Sequence, residues 1–278
     1  MRASRLYDRI GVGYRALRVP DPRIAAAIER ALGDAKSVAN IGAGAGSYEP
    51  RDRRVVAIEP ALTMIRQRAL DAAPAVRASA TAIPLRDASV DAALAVLTIH
   101  HWPDRMRGLA EMRRVARKRV VILTHEHLAS FWLGEYFPGI RRIDLDIFPT
   151  FADFESVLGP LRIAPVPVPH DCSDGFLGAY WRRPRAYLDA NVRSAISSFA
   201  KLTETETNDG LARLRADLDS GAWGQRHRHL LGLDQLDLGY RLVVADLSGT
   251  QPERGRSYWL PASMNVPDLG TYGRASAS

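Results

Sequence analysis

The chain has very little cysteine, very little lysine and no long apolar segment. Its 278 residues include one cysteine, Cys172, which excludes an internal disulfide framework and suits a reducing compartment. No apolar run reaches the ~20 residues that span a bilayer, and the first residues lack the apolar region and cleavage site of a signal peptide. We therefore expect a cytoplasmic protein that does not associate with membranes.

Positive charge is in excess, but it comes almost entirely from arginine. The chain has 38 Lys and Arg against 31 Asp and Glu, and only Lys36, Lys118 and Lys201 are lysines. The arginines are scattered, apart from short clusters at 51–54 and 113–119. No aromatic RNA-binding motif, zinc finger or basic helix accompanies them. We interpret the excess charge as solvated surface and expect no nucleic-acid partner.

The first half of the chain alternates short apolar runs with amphipathic segments. This pattern predicts strands at 38–41, 55–59, 76–79, 90–97 and 120–124, and helices at 23–32, 61–72 and 104–116. Such alternation is typical of the α/β class, with a doubly wound and mostly parallel sheet.

The pattern changes after residue 150. A helix is predicted at 151–159, a proline-punctuated edge strand at 161–171, a mainly helical region at 175–231 and a last strand at 238–247. The roughly 70 residues between the late strands are too many for an unstructured loop. We expect a sheet domain formed by 1–168 with 238–250, in which 1–37 supplies N-terminal cap helices. We also expect a helical insertion at 169–237 that serves as a lid, and a C-terminal tail at 251–278.

A glycine-rich turn follows the first predicted strand. The sequence VANIGAGAGSYEP, from Val38 to Pro50, places Gly42, Gly44 and Gly46 at alternate positions. Glycines at the end of a strand let a ligand approach the backbone closely, as nucleotide-like cofactors do. A dinucleotide fingerprint would have its third glycine at 47, where this chain has Ser47. The absence of that glycine weakens the dinucleotide interpretation, but the spacing alone does not decide between the two kinds of cofactor.

The glycine turn resembles motif I of the class I, Rossmann-like S-adenosylmethionine-dependent methyltransferases. VVAIEPA at 55–61 resembles the end of that family's second strand, and ASATAIPLRDASVDAALAVLTIHHWPD at 78–104 is similar to the ubiquinone and menaquinone methyltransferases of the type 11 group. The resemblance covers about residues 7–123. It implies a methyltransferase that uses S-adenosyl-L-methionine and has an antiparallel last strand.

The resemblance also implies roles for individual residues. The family pattern places a methionine-binding loop, a ribose-binding acid, an adenine pocket and a site beside the sulfonium, with a tyrosine of an N-terminal helix at the methionine carboxylate. The methionine-binding loop would be Gly42, Ala43, Gly44 and Gly46, and the ribose-binding acid would be Glu59. The adenine pocket would be formed by Pro60, Met64, Ser79 and Ala80. Leu97 and Thr98 would lie beside the sulfonium, and Tyr14 would reach the methionine carboxylate. Asn40 and Ser79 stand where the family often has acids. Met64 could equally be a core residue.

Histidines follow two neighbouring strands and are the candidates for a catalytic base. His100 and His101 follow the fourth predicted strand, and His125 and His127 follow the fifth. Because ligands bind at the carboxyl ends of strands in open α/β sheets, these groups are expected to converge. A histidine suits general-base work near neutral pH. We favour His100, which directly follows the residues expected beside the sulfonium, although any one of them could serve only in packing.

Other candidate groups are weaker. A metal is not expected, since a His-x-His pair supplies two ligands and methyl transfer requires none. Cys172 could be a nucleophile or a buried thiol. Tyr180, Trp181 and Arg182 mix aromatic and guanidinium groups and are, with His125, tentative contacts to a planar or anionic substrate; an ordinary packing role is the alternative.

The function expected from the sequence is methyl transfer to a small-molecule acceptor by in-line displacement, in which positioning supplies much of the catalysis. A long insertion over the site favours an enclosed small substrate. An RNA or protein methyltransferase and a non-catalytic S-adenosylmethionine-binding subunit are the alternatives.

Overall fold

A mixed eight-stranded sheet forms the centre of the protein. The computed structural model describes residues 17–126 and 131–247 together with the backbone of Ser257–Tyr258. The strands are β1 Ser37–Ile41, β2 Arg54–Ile58, β3 Ala75–Val76, β4 Val90–Val96, β5 Ala116–His125, β6 Arg162–Pro165, β7 Val168–Pro169, β8 Gln235–Leu236, β9 Tyr240–Asp246 and β10 Ser257–Tyr258. The order across the sheet is β10-β6-β9-β5-β4-β1-β2-β3, and β7 pairs with β8 separately.

Helices pack against both faces of the sheet. They are α1 Pro22–Leu32, α2 Leu62–Ile65, α3 Arg105–Val115, α4 Leu133–Tyr136, α5 Pro138–Ile147, α6 Phe151–Leu158, α7 Ala190–Ser194, α8 Glu204–Asp219 and α9 Ala222–Arg226. Short 3₁₀ turns lie at Ile99–His101, Leu177–Tyr180, Pro184–Leu188, Phe199–Lys201 and Arg228–Leu230. None of the helices in the described ranges is long and apolar enough to cross a bilayer.

The strand directions establish the predicted fold class. Strands β1 to β5 pair in parallel, whereas β9 runs antiparallel to both β5 and β6. The first strand pairs with β2 on one side and β4 on the other, so the winding direction reverses between β1 and β4. Ligands bind at the carboxyl ends of the strands at such a switch point. The glycine turn and the segment after β4 lie at this position.

Alternating side chains bury both faces of the sheet. On β4, Ala92 and Leu94 belong to one apolar cluster, and Ala93 and Ala95 belong to the other. Helix α1 packs in the first cluster, while α3 and α6 pack in the second. Because a strand covered on both faces needs apolar side chains on both, the residues that follow Asp91 in this strand, AALAV, form a continuous apolar run.

The region between β7 and β8 contains short helices and turns whose aromatic side chains join the core of the sheet. Trp181, Tyr187 and Trp223 are buried in the same cluster as Ile28 of α1. The indole N–H of Trp132 donates to the carbonyl oxygen of Trp181 at 2.8 Å. This region therefore buries its apolar side chains against the sheet and not in a core of its own.

Three predicted elements are shorter or divided in the structure. The helix predicted at 61–72 is regular only over α2, since the amides of Gln67 and Arg68 donate to carbonyls three residues back, in the tighter 3₁₀ manner. The strand predicted at 76–79 is only β3. The edge strand predicted at 161–171 breaks into β6 and β7 around Pro167, because proline has no N–H to donate to a neighbouring strand.

Candidate active site

A cavity of about 300 Å³ lies at the carboxyl ends of β1, β2 and β4. It falls in the lower part of the size range of small-molecule sites. Its lining includes ten of the residues predicted for the cofactor: Gly42, Ala43, Gly44, Glu59, Pro60, Met64, Ser79, Ala80, Leu97 and Thr98. Gly46 lies outside the lining, beside Arg68 and Glu49. Tyr14 lies outside the described residues. We call this space the first cavity.

The glycine turn crosses very close to the end of β4. Gly42 has a φ of +69°, and a Cβ added there would overlap the hydroxyl of Thr98 and lie 2.9 Å from its Cγ2. Gly44, at a φ of +53°, would bring a Cβ to 3.3 Å from the terminal methyl of Met64. Both positions therefore require glycine, one for space and backbone conformation and the other chiefly for conformation.

Glu59 joins the end of β2 to the glycine turn. The amide of Gly44 donates to its Oε2, and the amide of Ala61 donates to its Oε1, each at 2.8 Å. The residue is only 6% exposed. Burial raises the pKa of Glu59, and the two amide hydrogen bonds oppose that rise. Each carboxylate oxygen keeps a second lone pair, so Glu59 can also accept hydrogen bonds from ligand hydroxyls.

A buried ion pair between Arg68 and Glu49 supports the glycine turn. The guanidinium of Arg68 donates to both oxygens of Glu49, at 2.9 and 2.7 Å, and to the carbonyl of Gly44 at 3.3 Å. The side-chain amide of Asn40 donates to Glu49 at 3.1 Å. Asn40, which stands where the resemblance led us to expect an acid, thus holds an acid further along the chain.

Two non-glycine residues at the first cavity have left-handed backbones. Leu97 has a φ of +48° and Tyr48 a φ of +60°. The hydroxyl of Tyr48 donates to Oδ2 of Asp174 at 2.9 Å and accepts from the amide of Asp21 at 3.2 Å. Backbone strain of this kind costs on the order of 1–3 kcal/mol and often marks functional sites.

A second, smaller cavity of about 60 Å³ adjoins the first. Arg18, Leu97 and His101 line both of them. The remaining lining combines polar and aromatic side chains of several elements: His100, His125, Asp144, Phe148, Phe176, Leu177, Ala195, Ile196, Ser197, Ser198 and Tyr240. The structure thus brings three of the predicted histidines together; His127 lies outside the described residues.

Aromatic packing and burial fix the state of these histidines. The rings of His100 and His101 lie 3.8 Å apart between centroids, and Phe148 packs 4.6 Å from His100 and 5.2 Å from His125. Burial lowers the pKa of His100 well below 6.5, assisted by the neighbouring positive groups. Burial likewise lowers the pKa of His101 to about 3. Both imidazoles are therefore neutral near pH 7.

His125 is oriented by the backbone of the last connection before β9. Its Nε2 lies 3.0 Å from the carbonyl oxygen of Leu238. Because a carbonyl only accepts, Nε2 is the donor in this hydrogen bond and carries a proton.

Asp144 is a member of the second cavity that the sequence analysis did not identify. It lies in the last full turn of α5, is 4% exposed, and its Oδ1 has no hydrogen-bond partner in the described structure. Burial raises the pKa of Asp144 to about 7, although the positive charge of Lys201 opposes the rise. One signal was available: Asp144 follows Ile140 by four residues, on the buried face of the amphipathic segment PGIRRIDLDI.

The residues tentatively assigned to the substrate at 180–182 lie elsewhere. Trp181 is fully buried and donates its indole N–H to the carbonyl of Val168 at 3.0 Å. Arg182 donates to the carbonyl of Leu233 at 2.8 Å, and the guanidinium of Arg183 stacks 4.9 Å from the ring of Tyr180. None of the three lines either cavity. Their polar atoms tie the helical region to its neighbours, so we assign them no substrate role.

The described residues contain neither a reactive cysteine nor a metal site. Cys172 is buried, and burial raises the pKa of its thiol to about 12. A thiol in that state is a poor nucleophile. Among the described residues, no group of three or more His, Cys, Asp or Glu side chains could hold a metal ion.

Comparison with known proteins places this geometry in a family. Residues 39–124 match the family model of a methyltransferase domain. A crystal structure from Anabaena variabilis ATCC 29413, described as a methyltransferase from an antibiotic biosynthesis pathway, is 33% identical, with a TM-score of 0.77 over 82% of this chain and 98% of that one.

Two further structures are more distant. An S-adenosylmethionine-dependent methyltransferase of Thermotoga maritima, described as a possible histamine N-methyltransferase, is 20% identical over 59% of this chain and 83% of that one, with a TM-score of 0.47. A methyltransferase of Aquifex aeolicus is 18% identical over 60% and 92%, with a TM-score of 0.40.

The fold, the family model and the Anabaena relative together define the class of protein. The chain belongs to the class I, Rossmann-like S-adenosylmethionine-dependent methyltransferases, in their type 11 group. It is a methyltransferase, and its cofactor is S-adenosylmethionine.

Proposed function

We propose that the protein methylates a small-molecule acceptor held in the second cavity, with S-adenosylmethionine held in the first. The observation that carries this proposal is that the two cavities adjoin, with Leu97 and His101 lining both. A methyl group can pass between two ligands only when the reacting atoms are held about 3–3.5 Å apart and in line. Adjoining cavities would allow two bound ligands to approach in this way.

The residues of the first cavity fit S-adenosylmethionine. The glycine turn leaves space where a Cβ would intrude, and Glu59 offers lone pairs to the ribose hydroxyls. The indole Nε1 of Trp102, a lining residue, is buried with no hydrogen-bond partner in the described structure and can donate to a ligand. Met64, Ser79 and Ala80 would surround the adenine. When bound, the cofactor supplies an electrophilic methyl group on its sulfonium.

His100 is the proposed base. It lines the second cavity, and its lowered pKa keeps the imidazole neutral, so a ring nitrogen can accept a proton from the acceptor. A weak base suffices here, because an acceptor atom becomes more acidic as it gains the methyl group. His101 lies at the junction of the cavities and would position the acceptor.

We also propose that the region 169–237 is a lid. Phe176, Leu177 and residues 195–198 form part of the wall of the second cavity. Saturating S-adenosylhomocysteine in the first cavity should slow amide hydrogen exchange at 195–198 several-fold. The effect is expected because Arg18, Leu97 and His101 line both cavities and can transmit the ordering from one to the other. Helix α8, which lines neither cavity, is the internal control. Unchanged exchange at 195–198, or an equal change in α8, would contradict the lid.

The class of acceptor is tested by following a labelled methyl group. The protein is incubated with methyl-labelled S-adenosylmethionine and a cell extract separated by size. Label is expected in the small-molecule fraction. Label in RNA or protein would support a macromolecular substrate instead. S-adenosylhomocysteine binding without any labelled acceptor would support a non-catalytic subunit.

The base is tested with the labelled acceptor fraction. His100→Ala should lower turnover by ~10²–10⁴-fold, while the affinity for S-adenosylhomocysteine stays near that of the wild type. The acidic limb of the pH profile, which lies well below pH 6.5 in the wild type, should disappear. His229→Ala is the matched control, since His229 is exposed and lines neither cavity. Unchanged turnover in folded His100→Ala would leave His100 a packing residue.

A further inference from the structure

Asp144 presents an unsatisfied acceptor atom at the second cavity. Its side chain is buried, its Oδ1 has no hydrogen-bond partner among the described residues, and it lines the cavity together with His100 and His125. Leaving a buried oxygen of this kind without a donor is destabilising, and more so if it is charged. A ligand that supplies the missing donor would remove this cost.

The charged groups near Asp144 do not supply that donor. The positive charge of Lys201 acts on Asp144, yet no ion pair within 4.0 Å joins the two side chains in the described structure. Arg18, which also lines the cavity, is held by Asp174, with Nε 2.5 Å from Oδ1 and Nη2 3.3 Å from Oδ2. The oxygen of Asp144 therefore remains available to whatever enters the cavity.

The rest of the lining limits the size and the character of the ligand. Phe148, Phe176 and Tyr240 contribute aromatic rings, and Leu177 and Ile196 contribute aliphatic surface. A volume of about 60 Å³ holds on the order of four to six waters, at roughly 10–15 Å³ each. That space suits a compact apolar group with a polar substituent.

We propose that Asp144 is the residue that recognises the acceptor, by accepting a hydrogen bond from an amine or hydroxyl of a small, partly apolar molecule. This inference rests on the proposed function, which places the acceptor in the second cavity. It disfavours acceptors whose polar group at that position is a carboxylate or phosphate, because the ionised carboxylate of Asp144 would repel them. Burial raises the pKa of Asp144, as expected for a carboxyl that lacks a hydrogen-bond donor at one oxygen.

The test uses three probes of similar length that are small enough for the cavity and differ in a single group: 1-butylamine, 1-butanol and n-pentane. Their binding to the full chain is measured by calorimetry or ligand-observed NMR, with and without S-adenosylhomocysteine. The amine, the alcohol or both should bind roughly 10- to 100-fold more tightly than n-pentane, as expected for one hydrogen bond to a charged group.

Two substitutions identify the source of that preference. Asp144→Leu removes both acceptor oxygens and should bring the three probes to within about threefold of one another. Asp144→Asn keeps one oxygen without the charge, so it should weaken the amine and spare the alcohol. Asp146→Asn makes the same charge change on an exposed residue of the same helix and should alter no probe. Thermal unfolding and S-adenosylhomocysteine binding report whether each variant is folded.

Several results would overturn the assignment. These are equal binding of the three probes to the wild type, an unchanged order of affinities in Asp144→Leu and Asp144→Asn, or no binding of any probe. Failure of the wild type to bind S-adenosylhomocysteine would instead contradict the proposed function. The titrations without S-adenosylhomocysteine keep the two failures separate.

Discussion

The substitution Gly42→Ala tests the crossing between the glycine turn and the end of β4. An alanine at this position would destabilise the fold in two independent ways, through its backbone conformation and through steric overlap. The left-handed backbone, with φ at +69°, costs an alanine roughly 1–2 kcal/mol. The added methyl would also overlap the Thr98 hydroxyl and lie 2.9 Å from its Cγ2, and overpacking of this kind costs roughly 1–3 kcal/mol. We therefore expect a loss of about 2–5 kcal/mol in the free energy of unfolding.

Two other glycines separate these costs. Gly221 has a φ of +78° with no atom within 4 Å of an added Cβ, so Gly221→Ala should show the backbone cost alone. Gly44→Ala should cost little more, because its nearest neighbour is the flexible end of Met64 at 3.3 Å. Denaturant unfolding measures all three. Calorimetry with S-adenosylhomocysteine should show weaker binding in Gly42→Ala and Gly44→Ala and unchanged binding in Gly221→Ala.

A double-mutant cycle tests the cause directly. Thr98→Ala removes the two atoms closest to the added methyl, so Gly42→Ala should be less costly in that background, with an interaction energy of about 0.5–3 kcal/mol. Equal losses in Gly42→Ala and Gly221→Ala, or no coupling to Thr98, would refute the reasoning.

Two further predictions concern buried carboxylates. Glu59→Ala should weaken S-adenosylhomocysteine binding by about 1.5–3 kcal/mol, since a charged hydrogen-bonded contact is lost; binding of NAD without binding of S-adenosylhomocysteine would contradict the cofactor site. Burial alone would raise the pKa of Asp91, but hydrogen bonds from the amide of Lys36 and the guanidinium of Arg117 outweigh it and lower the pKa to about 2. The ionised form therefore stabilises the fold above an unfolded-state pKa near 3.8, and this contribution is lost as the pH falls from about 4 towards 2. Asp91→Asn should cost roughly 1–2 kcal/mol at pH 7 and progressively less below pH 4, so an equal cost in denaturant unfolding at pH 7 and pH 2.5 would contradict this origin.

Much of the fold and of the first cavity could be read from the sequence, because the information is local. Apolar runs such as AALAV predict strands buried on both faces, and a glycine turn directly after a strand predicts a ligand at its end. Gly42, Gly44 and Glu59 are encoded within one strand-turn-strand unit, and the structure places all three at the cavity. The α/β class and the mostly parallel sheet were predicted for the same reason.

Element boundaries were less well predicted, because they depend on neighbours. The helix predicted at 61–72 has the right composition, yet Arg68 turns away from it to bind Glu49 and the carbonyl of Ala73, at 2.8 Å. The proline at 167 was visible in the sequence. That it separates two strands belonging to different sheets was not.

The second cavity depended on tertiary structure, since its wall comes from segments far apart in the chain. Arg18 meets Asp174 across 156 residues, and no local pattern pairs them. The aromatic and guanidinium groups at 180–182 looked like a substrate site, but long-range packing directs Trp181 into the core and Arg182 onto backbone carbonyls.

The sequence by itself determined the α/β class and the strand ends where chemistry can occur, because periodicity and turn composition act over a few residues. The class of enzyme and the cofactor were predicted from the resemblance of its motifs to those of a methyltransferase family. Only the tertiary structure decided which side chains meet there. Asp144 reaches the second cavity because α5 packs with its buried face towards the strand ends, and that orientation is set by the whole core and not by any segment of the chain.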